Sequence, residues 1–271
     1  MSEKGTPGMS DLLSRAAQGL EITTRDDQDE FTSFLDAAKI SRRNGGRLRL
    51  LDTGKFNAFE LEWLAEAGAD LYTSDKTRPD RTELDLLAKA SARGNAVIAL
   101  FYYGELTGDP ADVSSSWGFL REIGRSGIDI HLSSREKPRD LAELAGLAAA
   151  CRKAGSRVVY YHHGLPEAGL EALARAGGWI HLSAEGLDEA AAAALLEDTV
   201  RAASAAGSGV VLHLERGLPV ETLRGLFKAG AFLLFKIPPS DWKSTLRALE
   251  RRACRRKLDL RSYYLHTTFL P

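Results

Sequence analysis

Eight short β-branched and aromatic runs alternate with Ala/Leu/Glu/Arg runs. Four segments repeat the order strand, Gly, helix, Gly, strand, and nothing interrupts the alternation between residues 47 and 255. Together these predict an α/β fold: a single (β/α)8 barrel of the TIM type, built from four (βα)2 quarters, with one or two extra N-terminal helices. An open, doubly wound sheet would need a break in that pattern. The expected organisation is a disordered lead over 1–9, a helical extension over 10–46, the barrel over 47–257 and a docked tail over 258–271.

Taken in order, Ser10–Gln18 and Asp27–Asn44 read as the extension's helices. The strands are "RLRLLD" (47–52), "ADLYTS" (69–74), "AVIALFYY" (96–103), "IDIHLS" (128–133), "RVVYYHH" (157–163), "WIHLS" (179–183), "VVLHLE" (210–215) and "FLLFKI" (232–237). Between them, stretches such as "AFELEWLAEAG" and "ETLRGLFKAG" carry apolar residues at helical spacing. Closure of the barrel would pair the first of these strands, 47–52, with the last, 232–237. Gly54, Gly104, Gly164 and Gly217 follow the odd strands, and Gly68, Gly127, Gly177 and Gly230 precede the even ones. The second group fits left-handed turns that end helices.

One quarter departs from the repeat. Its first and second glycines stand 23 residues apart, against 13 or 14 in the others. The insertion, "ELTGDPADVSSS" (105–116), follows the third strand and reads either as a lid or as a plain surface loop.

Composition narrows the class of partner. Lys and Arg number 36 and Asp and Glu 37, so no global basic footprint points to nucleic acid or a membrane surface. No apolar run approaches membrane-spanning length. Cys151 and Cys254 show no metal-ligand spacing, which suggests free thiols and, by elimination, a cytoplasmic protein.

Side chains alternate between the two faces of a strand. Aligning the even strands on their glycines sends Leu71, Ile130 and Ile180 outward, and Tyr72, His131, His181, Ser74, Ser133, Ser183 and Lys236 inward. For the odd strands two settings compete. One puts Asp52, Tyr102, His162, His213 and Glu215 inside; the other puts Thr53, Tyr103, His163 and Arg216 there. The first keeps His213 and Glu215 off the helix side and is the setting adopted.

That setting gives a polar mouth at the C-terminal ends of the strands, where barrel active sites lie. His162, Glu215, Asp52, Tyr102 and Lys236 are the expected catalytic groups. Ser74, Ser133, Ser183, His131, His181 and His213 are the expected substrate-binding groups. Histidine opposite a carboxylate suits general acid–base work, with His162 the base and Glu215 or Asp52 its complement. The imidazoles and carboxylates admit a divalent metal, although spacing identifies neither the ion nor its ligands. The opposing view is a hydrogen-bonded polar core left by duplication, since "HLS" recurs in two quarters.

The expected function is a small-molecule enzyme of lyase, isomerase or hydrolase type. The alternative is a non-catalytic barrel acting as a binding or assembly subunit. The stretch "WKSTLRALERRACRRKLDLRS" carries eight Lys or Arg, so a protein partner or self-association through 241–271 is expected there.

Overall fold

The structure is a computed structural model that describes residues 8–109, 112–135, 137–183, 187, 190–214 and 218–235. Among these residues, nine parallel strands alternate with α-helices and the strand order follows the chain order, with no reversal. This is the α/β, TIM-type order of elements, and not the doubly wound one. The chain divides into two compact units: Met1–His131 with Lys153–Ser156, and Leu132–Arg152 with Arg157–Pro271.

The first unit begins with α1 (Gly8–Ala17), β1 (Glu21–Arg25) and α2 (Phe31–Arg43), and continues through β2 (Arg47–Leu51), α3 (Ala58–Glu66), β3 (Asp70–Ser74) and α4 (Arg81–Gly94). It ends with β4 (Ile98–Phe101), α5 (Ser116–Arg125) and the start of β5 (Asp129–Ser133). In β3 every residue is buried, and Leu50, Leu71, Leu100 and Ile130 are each 0% exposed. Burying each such side chain is worth about 1.5–3 kcal/mol relative to leaving it in water.

Local chemistry sets the helix ends. The Asn57 side chain accepts from the backbone N–H groups of Phe59 and Glu60, and the Glu60 carboxylate accepts from Asn57 N–H, a closed capping box at the start of α3. Asp80 and Ser115 cap α4 and α5 in the same sense. The insertion is tied to the start of α5: Thr107 N–H donates to Ser116 Oγ at 2.6 Å, and Tyr102 Oη donates to the Glu105 carbonyl at 3.2 Å.

In the second unit α6 (Leu141–Ala154) leads to β6 (Val158–His162), α7 (Gly169–Arg175) and β7 (Trp179–Ser183). Then come α8 (Ala190–Ala206), β8 (Val210–Leu214), α9 (Val220–Ala229) and β9 (Phe232–Phe235). The four glycines that precede the even-numbered strand runs of the sequence all have positive φ: 99° at Gly68, 97° at Gly127, 99° at Gly177 and 120° at Gly230. A Cβ would be strained at each, which is why the repeat places glycine after the helix.

Two expectations need correction. The stretch 10–46 is not only helical, because Glu21–Arg25 forms a strand parallel to β2, with Ile22 opposite Leu48. Its residues, "EITTR", include one aliphatic side chain in five, too weak an apolar alternation to read as a strand. Consequently β2 is an interior strand, flanked by β1 on one edge and β3 on the other. Both edges being occupied, the pairing of 47–52 with 232–237 is not made.

Candidate functional site

The ladder fixes which residues share a face. In the first unit one row runs Leu50, Leu71, Ile98 and the next Thr73, Leu100, Ile130. The opposite face carries Leu51, Tyr72, Ala99, Asp129 and then Ser74, Phe101, His131. The second unit repeats the division. Tyr160, Ile180 and Val210 lie in a row, followed by His162, Leu182, Leu212 and Leu233. Across from them stand Tyr161, His181, Val211 and Phe232, then Ser183, His213 and Leu234.

The even-strand expectation therefore agrees with the ladder: Tyr72, His131 and His181 lie opposite in face to Leu71, Ile130 and Ile180. The setting adopted for the odd strands does not. Asp52, Tyr102 and His162 continue the aliphatic face, whereas His213 stands on the histidine face. The glycine after each strand was the wrong ruler. Counting back from it aligns His213 with Tyr160, yet the ladder His162↔Leu182↔Leu212 sets His213 level with residue 163, and 163 − 160 = 3. An odd offset reverses the face.

Asp52 is locked into the scaffold. Its carboxylate accepts from Thr73 Oγ1 at 2.7 Å, Gly54 N–H at 3.0 Å, and Arg78 Nε and Nη2 at 2.9 and 3.1 Å. Arg78 also donates to the Phe56 carbonyl and to Glu83 at 3.4 Å. The hydrogen bond to Asp52, more than any other contact, raises the Arg78 pKa, so the guanidinium stays charged against its burial. This cluster ties the segment after β2 to the segment after β3. Tyr102 packs its ring 6.4 Å from that of Phe119 on α5, on the helix-covered side. Ser74 Oγ shares a hydrogen bond with Thr77 Oγ1 at 2.9 Å in a tight turn, and the His131 ring lies 4.5 Å from that of Phe101.

In the second unit His162 is 7% exposed. Its Nε2 lies 2.9 Å from the Leu165 carbonyl, and its Nδ1 3.7 Å from Glu167 Oε1. A ring nitrogen against a carbonyl must carry the proton, which fixes the Nε2–H tautomer. His162 thus holds the turn that leads into α7. Ser133 Oγ accepts from Arg135 N–H at 3.1 Å, and the Ser133 carbonyl from Arg139 Nε at 3.2 Å. Next to it, Ser134 Oγ accepts from His163 N–H at 2.8 Å and Ser134 N–H donates to the Tyr161 carbonyl. Burial raises the Tyr160 pKa, against the opposing effect of its hydrogen bond to Ser134. Partial burial first, then Arg135 and His162, lowers that of His163.

Among the described residues, two candidate side chains meet on the histidine face. His181 Nδ1 and His213 Nε2 are 3.0 Å apart, with the residues 1% and 3% exposed. The Tyr161 ring lies 4.6 Å from that of His181, and Ser183 pairs with His213 in register at the C-terminal end of β7. Because the facing nitrogens share one hydrogen bond, one ring donates and the other accepts. His181, His213 and Ser183 come together, while His162 stands on the other face from Ser183 and next to Leu182. Glu215 and Lys236 lie outside the described residues, as does the segment 241–271. Among the described residues no three His, Cys, Asp or Glu side chains are grouped to hold a metal, and no helix is long and apolar enough to cross a membrane.

Two participants were missed in the sequence. Arg78 sits in a loop without a motif. Thr73 did carry a signal, for it is the one hydroxyl in the aliphatic column with Leu132, Leu182 and Phe235. A polar residue in an apolar column implies a polar partner, here Asp52.

No family model matches the chain, and no curated protein matches it. Among solved structures, citrate synthase SbnG is similar at 9% identity, covering 91% of this chain and 99% of its own, with a TM-score of 0.36. A tryptophan synthase α-subunit mutant from Pyrococcus furiosus shows 18% identity over 81% of this chain and 87% of its own, TM-score 0.33. A lyase/mutase from Burkholderia cenocepacia, so described provisionally, shows 15% identity over 98% and 92%, TM-score 0.34. Likeness at this level assigns no activity.

Proposed function

We propose that the protein is a TIM-type enzyme acting on a small molecule by acid–base chemistry, of lyase, isomerase or hydrolase type. The working site on this reading is the histidine face at the C-terminal ends of β7 and β8. His181 and His213 form the proton-transferring pair, and Ser183 orients the substrate. The observation that carries the reading is the 3.0 Å contact between two buried imidazoles on adjacent strands. A proton accepted by one ring can be handed to the other without solvent. An imidazole keeps this ability near neutral pH.

Glu215 follows His213 by two residues in the sequence and would supply the carboxylate, alone or with a divalent metal. His162 acts in this account as a positioning residue that holds the turn into α7, while Asp52 and Tyr102 hold loops of the first unit. Ser133 remains a candidate for substrate contact, and Lys236 a candidate catalytic group.

Ligand-observed NMR of the full chain against a panel of small polar metabolites tests the proposal. Binders should be lost or weakened in His213→Gln and Ser183→Ala, both of which should keep a cooperative melt. Binders that ignore both substitutions would place the site elsewhere. Once a substrate is in hand, His213→Gln should lower turnover by roughly 10²–10⁴-fold, the usual contribution of a positioned acid or base.

A further inference from the structure

The turn between β6 and α7 is tied at two points and loose at a third. Its start is held by His163 N–H on Ser134 Oγ at 2.8 Å, and its middle by the Leu165 carbonyl on His162 Nε2 at 2.9 Å. Its end, at Glu167, approaches the other nitrogen of the His162 ring without bonding it: Oε1 and Nδ1 are 3.7 Å apart. Nδ1 is buried and makes no hydrogen bond. With the ring proton on Nε2, Nδ1 presents a lone pair, so two acceptors face each other. A buried polar atom left in this way calls for an explanation.

We propose that His162 and Glu167 form a proton-operated latch on this turn. A proton taken from solvent onto Nδ1 gives an imidazolium with two N–H donors. One stays on the Leu165 carbonyl and the other is aimed at the Glu167 carboxylate. The gap closes by roughly 1 Å to the length of a charge-assisted hydrogen bond, and the Glu167 side chain, 56% exposed, is free to make that movement. A divalent ion could bridge the same two atoms, but among the described residues no third His, Cys, Asp or Glu completes such a set.

The groups around the ring act in both directions. Glu167 favours the added proton, since it lies inside the roughly 4–6 Å over which an opposite charge stabilises the charged form. Burial opposes it, as do His163, which interacts electrostatically with His162, and Arg135, which acts on His163. The Tyr160 ring lies 5.9 Å away, under the opposing influences of Glu167 and Arg139, and β7 presents Leu182 in register. Imidazole is the side chain that changes charge between about pH 5 and 8. The latch therefore closes as pH falls through the ring's titration and opens as pH rises through it. The turn follows the C-terminal end of β6, the end of the strands where the loops of TIM-type folds carry their sites. Its order thus becomes a function of proton concentration. The inference is independent of the chemistry proposed for His181 and His213.

Hydrogen exchange of the full chain, followed by NMR, reads the latch at Leu170 and Glu171, whose N–H groups donate to the Glu167 and Ala168 carbonyls. Their protection, corrected for the intrinsic pH dependence of exchange, should rise by roughly threefold or more between about pH 8 and about pH 5, the effect of an ion pair with one exposed partner. Glu167→Ala should remove the rise, and its melt at high pH should match that of the wild type because the side chain is exposed. His163→Gln should keep the rise, which separates the latch from the neighbouring ring. Nitrogen-15 shifts should show His162 protonated at Nε2 alone at high pH and at both nitrogens at low pH. Protection indifferent to pH, a rise that survives Glu167→Ala, or a neutral His162 with its proton on Nδ1 would overturn the proposal.

Discussion

Replacing Asp52 by Ala separates a scaffold carboxylate from a catalytic one. The Asp52 side chain is 0% exposed and that of Arg78 7%. Without the carboxylate, Arg78 keeps the Phe56 carbonyl and a longer contact to Glu83, whose side chain is 35% exposed. The Thr73 hydroxyl and Gly54 N–H lose their acceptor as well. A buried charge left without its partner costs about 3–5 kcal/mol, and an orphaned donor about 1–3 kcal/mol if water cannot reach it. Asp52→Ala should therefore lower stability by about 3–5 kcal/mol, read as a fall in the urea midpoint at constant slope. Replacing both ends, as Asp52→Leu with Arg78→Met, should recover most of the loss, since apolar residues of similar volume often substitute for a buried pair. A single-mutant cost below about 1 kcal/mol, or a double mutant whose losses simply add, would refute the view that this pair clamps the two loops.

Three further outcomes follow from the same contacts. The lowered pKa of His163 means that the unfolded chain binds more protons just below its ordinary value of 6.5. Stability should then fall as pH drops through that value, and His163→Gln should flatten the slope in pH-dependent melts. Tyr160 has the opposite sign: its pKa is raised above 10.0, so folding is favoured below that pH and loses stability as pH rises through it. Tyr160→Phe should abolish the alkaline loss in the same experiment. A Cβ on Gly94 would lie 1.8 Å from the Ala65 carbonyl oxygen, so Gly94→Ala should cost about 1–3 kcal/mol or more by pushing α4 from α3, visible in urea unfolding.

The alternation of runs was enough to read the parallel α/β order, and the repeated glycines were enough to locate the left-handed turns. Strand β1 escaped because one edge of a short strand needs little apolar area, and Ile22 alone supplies it. The facing of β2, β4 and β6 was misread for a different reason. Loop glycines answer to turn conformation, whereas facing answers to the hydrogen-bond ladder, and the two drift apart by whole residues. His213 was read as sharing a face with His181 and does so. Tying His162 to it by a glycine count carried His162 to the wrong side. Hydrogen bonds between distant segments, Arg78 with Asp52 or His163 N–H with Ser134, leave no periodic trace in a sequence.

The central claim is that His181 and His213 form one proton-sharing unit. Nitrogen-15 NMR of the imidazoles tests it most directly, by measuring coupling through the hydrogen bond between His181 Nδ1 and His213 Nε2. The account predicts a resolved N–N coupling and a coupled titration in which the two rings do not take up protons independently. Two uncoupled rings that titrate as separate histidines would contradict it.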